Sequence, residues 1–141
     1  MRCAAIDLGK VRVGLAISDE LGLMAHARPH LDGSNPGQLV NELTTLAATE
    51  RIDVFIVGLP KTLRGVEGVA ARRARTFAGK LQRSTGRKVI LMDERLTTKQ
   101  AALELRAVGR RARDQRSVID SVAAVLLLQA YLDSRQYRLS L

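Results

Sequence analysis

The chain has 141 residues and a mass of 15.4 kDa, which suits one compact core and leaves no room for two, so residues 1–141 are read as a single domain. With 46% hydrophobic and 26% charged residues it is neither disordered nor fibrous, yet 23 Lys and Arg stand against 14 Asp and Glu, and the net charge of +9 points to a polyanionic partner. Four aromatics (two Phe, two Tyr and no Trp) are too few for a base-stacking platform, and the single cysteine, Cys3, excludes an internal disulfide framework and a CxxC metal knuckle while suiting a reducing cytosol.

Residues 2–8 and 12–18 read as two short strands joined at Gly9-Lys10-Val11-Arg12, and Met24 to Leu31 adds a third, which Pro29 either ends or confines to a sheet edge. After the turn Asn35-Pro36-Gly37, the spacing of Leu39, Leu43, Leu46 and Ala47 predicts a helix. Val54 to Val57 is a buried strand ending at Gly58 and Pro60. Ala70, Ala74, Phe77, Ala78 and Leu81 form the apolar stripe of a second helix, with Arg72, Arg73, Lys80 and Arg83 on its other side. Val89 to Met92 reads as a strand, Thr97 to Leu105 as a helix, Arg106 to Arg116 as a basic mobile loop or frayed helix end, and Val118 to Leu132 as a final apolar helix. Three hairpin-like strands followed by alternating helices and strands give an α/β fold, a mixed sheet flanked by helices. The most apolar run, Val122 to Leu128, is far shorter than the ~20 residues that span a bilayer, and no signal peptide is visible, so the chain reads as soluble and cytoplasmic.

The charge is segregated. Residues 61–116 hold 16 bases and five acids, residues 1–60 five bases and seven acids, and residues 117–141 two of each. Against this background the acids at three places in the chain stand out by position. Asp7 interrupts the otherwise apolar run Cys3 to Leu8, where an unpaired charge costs several kcal/mol and calls for a cation, a base or a proton. Asp93 and Glu94 follow the strand Val89 to Met92, at the kind of strand end where α/β sheets bind ligands. Alternation sends them to opposite faces without saying which of the two shares a site with Asp7. Asp120 opens the last helix on the face of Ala123, Ala124 and Leu127, in a position that also suits a capping box with Ser117.

Two divalent ions about 4 Å apart can activate water and stabilise the leaving oxygen of a phosphodiester, and they need convergent carboxylates to hold them. Hard oxygen ligands of this kind select Mg²⁺ or Mn²⁺. Asp7, Glu94 and Asp120 would supply the carboxylates and the basic segment the grip on phosphate. Ile6-Asp7-Leu8-Gly9 with Val13-Gly14-Leu15-Ala16, Val57-Gly58-Leu59-Pro60 followed by Gly65, Asp93-Glu94-Arg95-Leu96-Thr97-Thr98, and Ile119-Asp120-Ser121-x-Ala123-Ala124 through Leu128-Gln129 resemble the YqgF family, also called RuvX. Its members are bacterial proteins related to the RuvC Holliday junction resolvase. The four motifs occur in family order and span nearly the whole chain. The resemblance implies a ribonuclease H-like fold with a five-stranded sheet, an acidic triad on Asp7, Glu94 and Asp120, and either 5′-end processing of pre-16S rRNA or resolution of branched DNA. The family usually has an uncharged or acidic stretch after the Gly-Leu-Pro motif, whereas Lys61 and Arg64 stand there in this chain.

The expected activity is therefore that of a metal-dependent endonuclease acting on structured RNA or branched DNA. Lys61, Arg64, Arg72, Arg73, Lys80, Arg95, Arg110, Arg111 and Arg113 are the candidate nucleic-acid contacts, and Arg95 is equally suited to pairing with Asp93. The contrasting reading is a non-catalytic nucleic-acid or ribosome-associated protein that keeps the fold, for which metal is dispensable and binding falls steeply with salt. A homodimer would suit a two-fold junction, though no coiled-coil repeat argues for one. His26 and His30 lie in a segment that reads as a strand, which argues against a zinc pair, and Cys3 reads as a small core residue.

Overall fold

The computed structural model describes residues 1–96 and 121–140. The order is β1 (Cys3–Leu8), β2 (Arg12–Ser18), β3 (Ala25–Asp32), α1 (Pro36–Thr49), β4 (Val54–Leu59), α2 (Val69–Thr85), β5 (Lys88–Asp93), a 3-10 turn (Glu94–Leu96) and α3 (Val122–Ser140). The five strands form one mixed sheet in the order β3-β2-β1-β4-β5. β1, β2 and β3 pair antiparallel, whereas β1, β4 and β5 run parallel, so the carboxyl ends of the last three share one sheet edge.

Alternation along the strands builds a core on each face. Ala4, Ile6, Val13, Leu15, Ile17, Phe55, Val57 and Leu59 pack beneath α1 and α2. Cys3, Ala5, Ala16, Val54 and Ile56 pack beneath Ala124, Leu127, Leu128 and Leu132 of α3. Full burial of each large aliphatic or Phe side chain contributes about 1.5–3 kcal/mol. Cys3 is buried among these residues, as the sequence indicates, and burial pushes its thiol pKa up. α1 starts where the turn signal places it: Asn35 is its N-cap, its side chain accepting from the Gln38 N–H at 3.1 Å.

The structure corrects several sequence boundaries. β4 continues through Gly58 to Leu59, because Gly58 and Leu59 remain paired with Met92 and Asp93 of β5. The buried stripe of α2 runs through Ala71, Ala74, Phe77, Ala78 and Leu81, and Ala70 is exposed, because the face that meets the sheet passes through Ala71 in the first turn. Arg72, Arg73, Lys80 and Arg83 are exposed as expected. α3 extends to Ser140, eight residues beyond the apolar pattern. The expected helix over 97–105 and basic loop over 106–116 lie outside the described residues.

β3 is an edge strand, as Pro29 predicts, but it runs past the proline to Asp32. The register shifts between Val13 and Leu15, with Val13 opposite Leu31 and Leu15 opposite Arg28, so Pro29 and His30 face the single residue Gly14 in a bulge. Ser121, just before α3, fills the gap in the ladder. Its fully buried Oγ accepts from the Leu15 N–H at 3.3 Å and donates to the Arg28 carbonyl. At the other end of this contact surface, Gln129 accepts from the Ala25 N–H and donates to the Leu23 carbonyl. Ser121→Ala leaves two buried backbone groups unsatisfied and is expected to cost about 1–3 kcal/mol, read as a lower urea midpoint at unchanged slope.

Candidate active site

Asp7 lies near the carboxyl end of the central strand β1, opposite Gly14 of β2 and on the α3 side of the sheet, where it continues the series Cys3, Ala5. On the same face of β4 the series Val54, Ile56 continues to Gly58, and on β5 the series Ile90, Met92 points on to Glu94. Register thus settles what alternation alone leaves open. Glu94, in the 3-10 turn, comes back over the sheet and its carboxyl group hydrogen-bonds with Asp7. Asp93 projects to the other face.

Gly58 makes this meeting sterically feasible. A Cβ built on Gly58 would collide with the Glu94 carboxylate, so the missing side chain is the space the carboxylate occupies. Asp7 is also flanked by Gly14 on β2, while the earlier residues of this sheet face pack beneath α3.

The two acidic positions after β5 have opposite electrostatics. Asp93 receives the guanidinium of Arg95 through Nε at 3.0 Å and Nη2 at 2.6 Å, along with the Arg95 backbone N–H at 2.9 Å. These hydrogen bonds bring its pKa down to about 2. Glu94 is pushed up to about 7, first by burial and then by the negative charge of Asp7. Below about pH 7 Glu94 therefore keeps its proton beside Asp7, because two adjoining carboxylates without a cation cannot both ionise cheaply. A divalent cation relieves that repulsion, and two carboxylates plus any third acid are a hard oxygen donor set. Among the described residues no three acidic, His or Cys groups converge, and Asp120 lies outside the described residues.

The basic candidates separate into two groups. Arg95 is anchored to Asp93, as its sequence position indicates, and its guanidinium packs over Gly65, where a Cβ would come within 3.3 Å of Nη1. Gly65 has φ +83°, in the region that favours glycine, within the β4–α2 loop that also carries Lys61 and Arg64. The charge of Lys61 is close enough to help lower Asp93, while Arg64 is exposed. Arg72, Arg73 and Lys80 instead lie on α2, on the opposite side of the sheet from the carboxylates. Arg110, Arg111 and Arg113 lie outside the described residues. His26 and His30 fall on β3, where the sequence places them, with no cluster of metal-ligating groups among the described residues. Sequence reasoning missed Gly58 as a builder of the site; the signal available for it was a glycine following an apolar strand run.

The sequence model of the family described as "RuvX: Holliday junction resolvase" matches residues 1–134. The chain belongs to the RuvX family. Among relatives, a protein of Anaeromyxobacter sp. (strain K) is 39% identical over 135 residues, covering 96% of this chain and 98% of its own. One of Rhodococcus erythropolis (strain PR4 / NBRC 100887) is 44% identical over 140 residues, covering 95% of this chain and 78% of its own. Both bear the name "Putative pre-16S rRNA nuclease". Among solved structures, RuvC of T. thermophilus in complex with a Holliday junction substrate superposes with a TM-score of 0.62 at 18% identity, over 97% of this chain and 96% of its own. The Fowlpox virus resolvase, solved with Holliday junction DNA, gives 0.62 at 14% identity, over 96% and 99%. The fold of this RuvX family member is accordingly the ribonuclease H-like one, with its mixed five-stranded sheet. No helix among the described residues is long and apolar enough to cross a membrane.

Two predictions follow from the carboxylate pair. Because the folded protein holds the Glu94 proton up to about pH 7 and the unfolded chain releases it near 4.5, this group's contribution is fully present below pH 4.5 and is lost as pH rises through 7. In chelator, the thermal midpoint should fall between about pH 5 and pH 8, and Glu94→Gln should flatten that fall. A wild-type profile no steeper than that of the variant would refute the shared proton. Gly58→Ala should displace Glu94 and cost about 1–3 kcal/mol of stability in a chemical melt.

Proposed function

We propose that this chain is a divalent-metal-dependent endonuclease that cuts structured nucleic acid, with precursor 16S rRNA as its substrate. The observation that carries the reading is the Asp7–Glu94 pair: two carboxylates brought together at the carboxyl ends of the parallel strands of the sheet, with a glycine beneath them and the Asp93-bound Arg95 in the adjoining turn. Such a pair is costly as a structural element and useful as a cation seat. The relatives at 39–44% identity bear the rRNA name, whereas the junction complexes share little more than the fold, which favours RNA over branched DNA.

In this reading Asp7 and Glu94 would hold Mg²⁺ or Mn²⁺, and Asp120, the residue before Ser121, would complete the donor set. A bound divalent cation supplies activation of water at neutral pH and stabilisation of charge on the leaving oxygen. The protein's own groups do the rest. To act as a ligand Glu94 would have to give up the proton it holds, so cation affinity would rise as pH rises through 7. Asp93 keeps Arg95 in one rotamer at the rim, where its guanidinium and the Lys61 ammonium orient the phosphodiester. Asp93 is spared for this task because it faces away from Asp7.

The test is cleavage of a labelled pre-16S rRNA fragment and of a four-way DNA junction with Mn²⁺ or Mg²⁺. Asp7→Asn and Glu94→Gln should each lower the rate at least about a hundredfold while the fold persists by circular dichroism. Equal rates in wild type and Asp7→Asn would defeat the nuclease reading, and preferential cutting of the junction would defeat the choice of substrate. Calorimetric titration of Mn²⁺ should detect binding to wild type that is lost in Asp7→Asn.

A further inference from the structure

The cavity beneath the first half of α2 has no part in the reaction described above. Its volume is about 300 Å³, at the lower end of small-molecule sites. Leu8, Leu39 and Phe77 make an apolar floor, and Arg72, Arg73 and Lys80 stand around it. No acidic side chain is among the described residues that line it, so three cations share its walls without a carboxylate between them.

Its position relates it to the carboxylates. Leu8 follows Asp7 on β1, and successive side chains on a strand point to opposite faces. Cavity and carboxylate pair therefore flank the same sheet edge from its two sides. The Arg73 guanidinium lies 3.4 Å from the Gly9 carbonyl, which places it over the turn that leaves β1 at this edge. A polymer that crosses the edge passes both features.

A hydrophobic floor ringed by cations is matched by a ligand that joins an apolar plate to negative charge. A bare phosphate leaves the floor unused, and an uncharged ring leaves three like charges uncompensated. A nucleotide within a strand satisfies both, its base against Phe77 and Leu39 and its flanking phosphates on Arg72, Arg73 and Lys80. We infer that this cavity receives one unpaired base of the substrate strand, close to the position of cutting, and so selects strands that can present an unstacked nucleotide there. The inference rests on the nucleic-acid reading above, and it is tested without cleavage. A base inside a continuous duplex cannot enter without leaving its stack, so fully paired duplex is disfavoured.

The experiment uses the full chain as Asp7→Asn in chelator, irradiated with a short single-stranded RNA carrying one 4-thiouridine, and with the corresponding DNA carrying 4-thiothymidine. Crosslinks should map to peptides within Val69–Lys80. Thr76 is exposed and lines the cavity, so Thr76→Trp fills it from outside the core. That variant should lose these crosslinks and bind the oligonucleotide about tenfold more weakly, with its melting temperature unchanged. If it does not fold, Val69→Trp, from another exposed position on the cavity wall, takes its place. Arg72→Ala with Lys80→Ala should lower the salt slope of binding by about two. Crosslinks confined to other peptides, or retained in the filled-cavity variant, overturn the inference. If crosslinks appear as expected while wild type with metal cuts neither substrate, the nuclease reading fails and the base site stands.

Discussion

The arrangement of this molecule turns on the repulsion between two carboxylates at one end of a buried sheet. Asp7 sits on the central strand, and Glu94 is brought back over the sheet by the short turn that ends β5. Desolvation raises the cost of charge on Glu94 and the neighbouring Asp7 raises it further, so the pair is held by a proton when nothing else is there. Folding tolerates this because the rest of the sheet is covered on both faces. Ile6 and Val57 beneath α1 and α2, and Ala5 and Ile56 beneath α3, fix the backbone on which the pair stands.

The space for the pair is made by subtraction. Gly58 occupies the position beside Asp7 on β4, where any larger residue would strike Glu94, and Gly14 pairs with Asp7 on β2. The neighbouring Asp93 could have entered the same space only by a change of register. It is instead committed to Arg95, and its charge adds only the smallest of the effects that raise Glu94. One turn of sequence thus produces one acid held strongly ionised and one held ready to give up a proton, a separation of roles made by environment rather than by residue type.

Much of this was legible in the residues. Asp7 announces itself as a charge inside an apolar run, and the strands, the first two helices and the edge position of β3 follow from alternation, helical spacing and Pro29. The choice between Asp93 and Glu94 was not, because it depends on parity carried across two strand pairings, Ile6 with Val57 and Val57 with Leu91. No local pattern encodes that register. For the same reason the role of Gly58 emerges only once Glu94 is seen above it. The Ala70 misplacement has a different origin: Ala70 and Ala71 are equally apolar, and only the packing of the helix on the sheet shows which of them the core takes. Asp120 and the arginines of 106–116 lie outside the described residues, so their parts rest on the sequence motif and on segregated charge.

Pro29 has a consequence for how these molecules behave in company. β3 is the outer strand of the sheet, and an outer strand offers its unused backbone groups to any other extended chain. The proline lacks a donor, and the bulge that accompanies it bends the strand, so an added strand would find the ladder interrupted midway between Ala25 and Asp32. Exposed His26 and His30 on either side put polar side chains where a self-associating sheet needs flat apolar ones. This border of the sheet is thereby closed to growth by strand addition.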